Sequence, residues 1–446
     1  MFFYIFSYID IYILFRIRIN SPPVLLPYII GEVMVAFSLI IVIIAIAAGF
    51  YMAWSIGAND VANSMASAVG AKAISMRQAV VIAGVLTICG AVFLGAHVTG
   101  TISKGIVDPN DIGDPTKVMF GALAAILAAA IWVTLATWKS MPISTTHSIV
   151  GAVIGFGLVA GGVGVVSWGK VGQVAASWIL SPIFGCILAF FIFKLITKFI
   201  LGREDPLVSA KKTGPFFIAA TFFIIFMSLL LKTRLGEIVI PGNDLLWAFM
   251  ISTIIAAGSG IIGFSVIKKV EKKSKEGYKE VEEIFRKLQI MTSCYVALAH
   301  GANDVANAIG PMATIFAINS EGTIPQEVSI PVYLLALGGI GIAVGIMTWG
   351  YRVIRTLGSK ITKLTNTRGF SVDFGAATTV LVASKLGMPI STTHTVVGAI
   401  IGVGLARGLE AVDLRIIKKI VLSWLITVPI AALTAALIYL GLIGLI

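Results

Sequence analysis

Residues 142–157 have the sequence PISTTHSIVGAVIGFG, and residues 389–404 have the sequence PISTTHTVVGAIIGVG. These two copies begin 247 positions apart, and each joins a hydroxyl-rich hexapeptide to an apolar run with glycines at short intervals. A second string is also repeated, as GANDVANS at 57–64 and GANDVANA at 301–308, 244 positions apart. Because the order and the spacing of both pairs are kept, the chain contains an internal duplication.

The composition is that of a membrane protein. The 446 residues are 58% hydrophobic and 12% charged, whereas soluble proteins carry about 25% charged residues. Apolar runs of about 20 residues, the length with which a helix crosses the hydrocarbon core, recur from Val35 to the C-terminus. We therefore predict an all-α polytopic membrane protein with about twelve transmembrane segments. The predicted spans are 35–56, 78–102, 118–138, 145–166, 173–200, 214–232, 245–267, 290–307, 331–351, 373–388, 391–406 and 420–444.

The charge and the cysteines exclude several other classes of protein. The net charge of +12 lies in connecting loops, where basic residues are expected on the cytoplasmic side, so we expect no nucleic-acid partner. Cys89, Cys186 and Cys294 lie inside apolar spans without close spacing, which argues against a disulfide framework or a metal site. The chain has neither a GxxxxGK[ST] motif nor a convincing nucleophile and base, so we expect no enzymatic activity.

The N-terminal stretch and the charged loop at 268–289 define the predicted organisation. Residues 1–33 lack a basic n-region and a small-residue cleavage site, and are a poor signal peptide. They are interpreted either as an interfacial helix or as the product of an upstream start, with the native chain beginning near Met34. The remainder is predicted to contain a first repeat, two connecting spans with the charged loop, and a second repeat, at 34–205, 206–289 and 290–446.

Equivalent loops of the two repeats carry opposite charge bias. Residues 103–117 hold three aspartates and two lysines, whereas 352–368 hold five basic residues and no acid. The loop after the first GANDVAN has two basic residues and no acid, and its counterpart has two glutamates and no base. By the positive-inside rule these loops lie on opposite faces of the membrane, so the repeats are predicted to be inverted. The same rule places 268–289 in the cytoplasm and both ends of the mature chain outside.

The segments around the PISTTH motifs allow two topologies. The pair 118–138 with 145–166, and the pair 373–388 with 391–406, either cross the membrane fully or form re-entrant hairpins, and both choices give the same loop sides. The PISTTH tips have little hydrophilic sequence with which to leave the membrane. We therefore favour re-entrant hairpins.

The GANDVAN motifs are predicted to bind cations. A carboxylate within a membrane costs about 2.5–3.5 kcal/mol on insertion scales, and asparagines at i and i+4 share one helical face. Each motif can therefore gather the oxygen ligands that a hard cation prefers. The alternative is that these side chains only join helices, but a carboxylate in each copy favours a cation site. The candidate ligands are Asn59, Asp60, Asn63, Asn303, Asp304 and Asn307.

The PISTTH motifs are predicted to bind an anion. Pro142 and Pro389 can begin a helix, and the N–H groups of a helix N-terminus bind anions with the help of the helix dipole. The glycines that follow let another backbone approach closely. The alternative is ordinary capping and packing, but six hydroxyls brought to one point in the membrane suit a tetrahedral oxyanion. The hydroxyl-bearing residues are Ser144, Thr145, Thr146, Ser391, Thr392 and Thr393.

Three histidines, His147, His300 and His394, lie beside these motifs. We interpret them as neutral side chains that orient their neighbours, with a proton relay as the alternative.

GANDVAN and PISTTH, each present twice in this order around a charged central loop, resemble the inorganic phosphate transporter (PiT) family. The resemblance covers nearly the whole chain after residue 34. It implies a homodimer in the cell membrane that imports inorganic phosphate with Na⁺ as coupling ion, by alternating access and without a cofactor. An H⁺-coupled phosphate symporter and a sulfate permease are the alternatives within the family, and a passive anion channel is one outside it.

The resemblance also implies roles for the motif residues. The six PISTTH hydroxyls bind phosphate, and the asparagines and aspartates of GANDVAN bind Na⁺ and line the substrate site. Among these, Asn59 and Asn303 are assigned to phosphate, and Ser144 and Ser391 are assigned to Na⁺ as well as to phosphate.

Overall fold

The computed structural model describes residues 25–95, 105–231, 236, 239–240, 244–274, 276–325, 330–360, 363–386, 390–408 and 412–444. Within these ranges the chain forms fourteen α-helices and no β-strand. They are α1 (Leu25–Gly70), α2 (Met76–Leu94), α3 (Pro109–Ile112), α4 (Pro115–Trp138), α5 (Thr145–Gly161), α6 (Trp168–Ile196), α7 (Pro206–Leu230), α8 (Leu245–Ile267), α9 (Tyr278–Glu321), α10 (Val332–Trp349), α11 (Tyr351–Lys360), α12 (Asn366–Lys385), α13 (Thr392–Arg407) and α14 (Leu414–Ile443).

The prediction of an all-α polytopic membrane protein is confirmed. Eight of the described helices are long and apolar enough to cross a membrane, namely α1, α2, α4, α6, α7, α8, α10 and α14. The other four predicted spans lie in α5, α9, α12 and α13. Helices α5 and α13 have 17 and 16 residues, or about 25 Å at 1.5 Å per residue, which is short for a hydrocarbon core of about 30 Å. The count of twelve spans therefore stays a prediction.

Both GANDVAN motifs lie inside long helices. Helix α1 continues through its motif to Gly70, and α9 begins at Tyr278, well before its own motif. The charged loop 268–289 is therefore partly helical, because residues from Tyr278 onwards are the first turns of α9. Val281, Phe285 and Leu288 are buried there, so an apolar stripe at helical spacing lies among the charges.

Each PISTTH helix packs against a helix of the other repeat. Helix α4 contacts α5 and α12 contacts α13, the two pairs predicted to form hairpins, while α6 packs on α13 and α14 packs on α5. A Cβ added at Gly398 would lie 2.1 Å from the Pro182 carbonyl oxygen, and one at Gly155 would lie 2.1 Å from that of Ala432. The prediction that these glycines admit another backbone is confirmed.

Each GANDVAN helix also packs against a helix of the other repeat. Helix α1 packs on α10, and α9 packs on α2. A Cβ at Gly57 would lie 1.9 Å from the Ile342 carbonyl oxygen, and one at Gly301 would lie 2.2 Å from that of Thr87. The packing of the two repeats is therefore reciprocal, as expected of a duplicated chain.

Candidate functional site

Threonines from both PISTTH helices surround the two GANDVAN aspartates. Thr145 Oγ1 donates to Asp60 Oδ2 at 2.6 Å, and Thr392 Oγ1 donates to Asp304 Oδ2 at 3.1 Å. Thr393 Oγ1 lies 3.4 Å from Asp60 Oδ1. All five side chains are buried. Asp60 is thus contacted by one threonine from its own repeat and by one from the other.

The second asparagine of each motif joins the two repeats directly. Asn63 Nδ2 donates to the hydroxyl oxygens of Thr392 and Thr393, each at 3.0 Å. Asn307 Nδ2 donates in the same way to the threonines at 145 and 146, at 3.3 and 3.4 Å. Each amide therefore contacts the PISTTH helix of the opposite repeat, and the site is built by both repeats together.

The first asparagine of each motif contacts a hairpin tip. Asn59 Nδ2 donates to Thr137 Oγ1 at 2.8 Å, and Asn59 Oδ1 accepts from the Ile143 N–H at 3.2 Å. Asn303 Nδ2 lies 3.4 Å from the carbonyl oxygen of Ile390, the counterpart of Ile143. The structure thus places both amides against the tips, where they position the threonines that follow.

The two serines of the motifs are helix N-caps. Ser144 Oγ accepts from the His147 N–H at 3.1 Å, and Ser391 Oγ accepts from the His394 N–H at 3.2 Å. This is the capping role that serine commonly has at a helix start. Of the six predicted hydroxyls, four threonine hydroxyls converge on the GANDVAN side chains and the two serine hydroxyls hold the helix starts.

One histidine joins the carboxylate cluster. Ligand atoms of Asp60, His300 and Asp304 all lie within 4.8 Å of one another, and His300 Nε2 lies 3.0 Å from Asp304 Oδ2. The residue that corresponds to His300 in the first repeat is Ile56. The two aspartates therefore have different surroundings, and the site is symmetric only in part. Its carboxylate, imidazole and hydroxyl groups can hold a cation.

The other two histidines lie against tryptophan rings, His394 stacked and His147 tilted. The ring centroid of His147 lies 3.7 Å from that of Trp178, and the ring centroid of His394 lies 3.6 Å from that of Trp424. The two imidazoles are 4.3 Å apart, and His394 Nδ1 lies 3.1 Å from the Trp178 carbonyl oxygen. These contacts favour the orienting role over the proton relay.

A third buried carboxylate, Asp373, joins the two GANDVAN helices α1 and α9 and was not predicted from the sequence. Ser67 Oγ donates to Asp373 Oδ1 at 2.5 Å, and Ser293 Oγ donates to Oδ2 at 2.6 Å. Asp373 has Ile126 at the equivalent position of the first repeat, so the duplication gave no signal. A signal was present nonetheless, because an ionisable residue within a predicted span is a functional candidate by default.

Two interlocked halves that share a buried polar site are typical of secondary transporters. The chain belongs to the phosphate transporter family, whose model matches residues 56–435. It is therefore a phosphate transporter and not an enzyme, and the family resemblance drawn from the motifs is confirmed.

Similar proteins come from archaea, bacteria and plants. The chain is 51% identical to "Putative phosphate permease" of Pyrococcus furiosus over 402 residues, which cover 90% of this chain and 95% of that protein. It is 41% identical to the inorganic phosphate transporter 2-1, chloroplastic, of Arabidopsis thaliana, over 88% of this chain and 70% of that protein. A solved structure entitled "The sodium-dependent phosphate transporter" has a TM-score of 0.86 and 46% identity, covering 91% of this chain and 100% of that chain.

Proposed function

We propose that this transporter imports inorganic phosphate together with Na⁺, and that both bind at the meeting point of the GANDVAN and PISTTH motifs. The observation that supports this most strongly is the convergence of two buried carboxylates and four threonine hydroxyls from both repeats. In this proposal, the threonine hydroxyls and the N-termini of α5 and α13 bind the phosphate oxygens. Asp60 and Asp304, with Asn63 and Asn307, bind Na⁺.

The charge of the site favours cation coupling. Neither motif contains a lysine or an arginine, so the two aspartates would repel an incoming phosphate. The aspartates also repel each other: two like charges within 4.8 Å, the limit within which the cluster's ligand atoms lie, repel with at least about 3.5 kcal/mol at an effective dielectric constant of about 20. Cations on the aspartates would offset this repulsion. The similarity to a solved sodium-dependent phosphate transporter supports Na⁺ as that cation.

Na⁺ would also offset the membrane potential. Moving one H₂PO₄⁻ inward against 100 mV costs about 2.3 kcal/mol. With two Na⁺ the net movement becomes favourable by about the same amount, and HPO₄²⁻ with two Na⁺ is electroneutral. Phosphate uptake with two Na⁺ therefore need not work against the potential.

We further propose that the repeats are inverted in the membrane, with the charged loop 268–289 in the cytoplasm and both ends outside, and that transport occurs by alternating access. The reciprocal packing of the repeats and the opposite charge bias of their equivalent loops support this arrangement. The homodimer stays a prediction from the family resemblance.

Proton coupling is the second candidate, because the imidazole of His300 lies 3.0 Å from the Asp304 carboxylate. The test is uptake of radiolabelled phosphate into reconstituted vesicles in which Na⁺, H⁺ and voltage gradients are varied independently. We expect uptake to stop when choline replaces Na⁺ at fixed pH. Full uptake in choline driven by an inward H⁺ gradient would replace the Na⁺ proposal by H⁺ coupling. The His300→Gln variant should then lose the uptake driven by the H⁺ gradient.

The substrate is tested in the same vesicles. Excess unlabelled sulfate should leave phosphate uptake unchanged, whereas strong competition would indicate a site shared with sulfate. Because each ion stabilises the site of the other, Na⁺ should raise phosphate affinity by the same factor by which phosphate raises Na⁺ affinity.

A further inference from the structure

An apolar groove lies on the connecting helices, away from the candidate site. It has a volume of about 540 Å³ and is formed by α7, α8 and the first turns of α9. Phe222, Phe226, Ile255 and Ile262 are among the side chains that line it. The substrate cluster described above uses none of these residues, so the groove has no role in the proposed transport chemistry.

The length of the groove matches one leaflet of a membrane. Its lining on α8 runs from Ile255 to Ile267, which is about 18 Å at 1.5 Å per residue. Half of a typical hydrocarbon core is about 15 Å. Ile267 is the last residue of α8 and precedes the charged loop. The groove therefore runs from that loop towards the middle of the membrane.

One basic side chain lies near the loop end of the groove. Lys287 is the single ionisable side chain among the described lining residues, and it is exposed. Ile284, one turn before it on α9, packs in the same buried cluster as Ile267. Exposed Lys268 and Lys269 follow directly after α8. The ion pairs found in the described part of the chain, Lys272 with Asp205 and His300 with Asp304, do not include any of these three lysines.

An apolar groove of leaflet length with positive charge at its membrane-surface end fits an anionic amphiphile. A lysine stem can lie along apolar surface while its ammonium group reaches the interface. Basic pockets between transmembrane helices bind anionic head groups. We propose that an anionic two-chain phospholipid, from the leaflet next to residues 268–277, the part of the charged loop that precedes α9, places an acyl chain in this groove and its phosphate on Lys287.

Lipid binding to the purified full chain tests whether Lys287 binds the phosphate of an anionic lipid. The protein is exchanged into detergent with either phosphatidylglycerol or phosphatidylcholine, and native mass spectrometry counts the lipids retained. We expect the wild type to retain phosphatidylglycerol preferentially. Lys287→Ala should weaken that binding about fivefold, since one lysine near anionic lipid contributes about 1 kcal/mol. The control Lys418→Ala, at an exposed lysine of α14, should leave it unchanged. Equal retention of both lipids, or no effect of Lys287→Ala, would overturn the proposal.

A second variant tests the groove itself. A Cβ added at Gly258, which lines the groove, meets no atom within 4 Å, so Gly258→Phe fills the groove without a backbone clash. We expect it to lose the retained phosphatidylglycerol. Gly169→Phe, at an equally open glycine of α6, should retain it. Retained lipid in Gly258→Phe would overturn the proposal, and so would a change in oligomeric mass without loss of lipid, which would assign the groove to a second copy of the chain. If Gly258→Phe does not fold, the Lys287→Ala comparison decides.

Discussion

The replacement Asp60→Asn is the sharpest test of the proposed cation site. It removes one of the two carboxylates of the cluster and keeps the shape of the side chain. The Thr145 hydroxyl that donates to Asp60 at 2.6 Å can donate equally to an amide oxygen. The variant should therefore change the binding of Na⁺ much more than the packing of α1 against α5.

The expected size follows from the geometry of the cluster. The ligand atoms of Asp60, His300 and Asp304 lie within 4.8 Å of one another, so a cation held there is attracted by both carboxylates. A cation held between these atoms lies within about 4.8 Å of each carboxylate, so at an effective dielectric constant of about 20 one unit charge contributes at least about 3.5 kcal/mol. Loss of that charge should weaken Na⁺ binding at least about 300-fold, and Asp304→Asn should have a similar effect.

Two measurements check this prediction. The first is the Na⁺ concentration that gives half-maximal phosphate uptake in proteoliposomes. The second is the rise in melting temperature on adding Na⁺, which follows from ligand binding to the folded state. Asp60→Asn should lose both responses and melt, without Na⁺, no lower than the wild type. Asp244→Asn is the matched control, because Asp244 is an exposed N-cap of α8 and asparagine also caps helices well. Wild-type responses to Na⁺ in both assays of Asp60→Asn would refute the proposed cation site.

Three further predictions concern the anion, the packing and the charged loop. Thr392→Val should raise the phosphate concentration for half-maximal uptake at saturating Na⁺ by about 10-fold or more, the loss expected for a hydrogen bond to a charged group. Thr392→Ser keeps the hydroxyl and should leave this concentration unchanged. The same half-maximal phosphate concentration in both variants would contradict the role of the hydroxyl. Gly398→Ala should lower the free energy of unfolding by about 1–3 kcal/mol, because the added Cβ would lie 2.1 Å from a carbonyl oxygen of α6. Gly172→Ala, where an added Cβ meets no atom, should be neutral. Similar melting temperatures of the two variants would argue against the close helix crossing. The Ser274 hydroxyl and nearby backbone N–H groups donate to Glu280 and lower its pKa to about 2. This contact is therefore fully stabilising above pH 4.5, the ordinary pKa of glutamate, and is lost as the pH falls towards 2. Glu280→Gln should speed amide exchange in residues 273–274 at pH 7, and unchanged exchange would contradict the stabilising role of this contact.

Local rules were sufficient for the parts of the site that lie within one helix. A serine or threonine followed by an apolar run predicts a helix start, and α5 and α13 begin directly after Ser144 and Ser391. Asparagines at i and i+4 predict a common helical face, which α1 and α9 provide. The duplication then supplied the expectation that both motifs meet, since equivalent parts of inverted repeats share one interface.

Contacts between distant segments could not be predicted in the same way. Which PISTTH hydroxyls face the aspartates depends on how the helix is rotated, and that rotation is set by packing against helices of the other repeat. Asn59, which is predicted to bind phosphate, has an amide that contacts Thr137, 78 positions away. Asp373 depends on two serines from different helices, Ser67 and Ser293. No local pattern in the sequence identifies such partners.

The shared contacts have a consequence for how the site opens. Asp60 is contacted by threonines of both PISTTH helices, and Asn63 and Asn307 each contact the threonines of the opposite repeat. Movement of the α12–α13 hairpin therefore separates threonines from both carboxylates at once, and movement of the α4–α5 hairpin separates Thr145 from Asp60. A cation or an anion bound between the hairpins would restore those contacts for both halves. In the proposed Na⁺-coupled transport, coupling between the two ions would then follow from the construction of the site, without a separate signalling path between them.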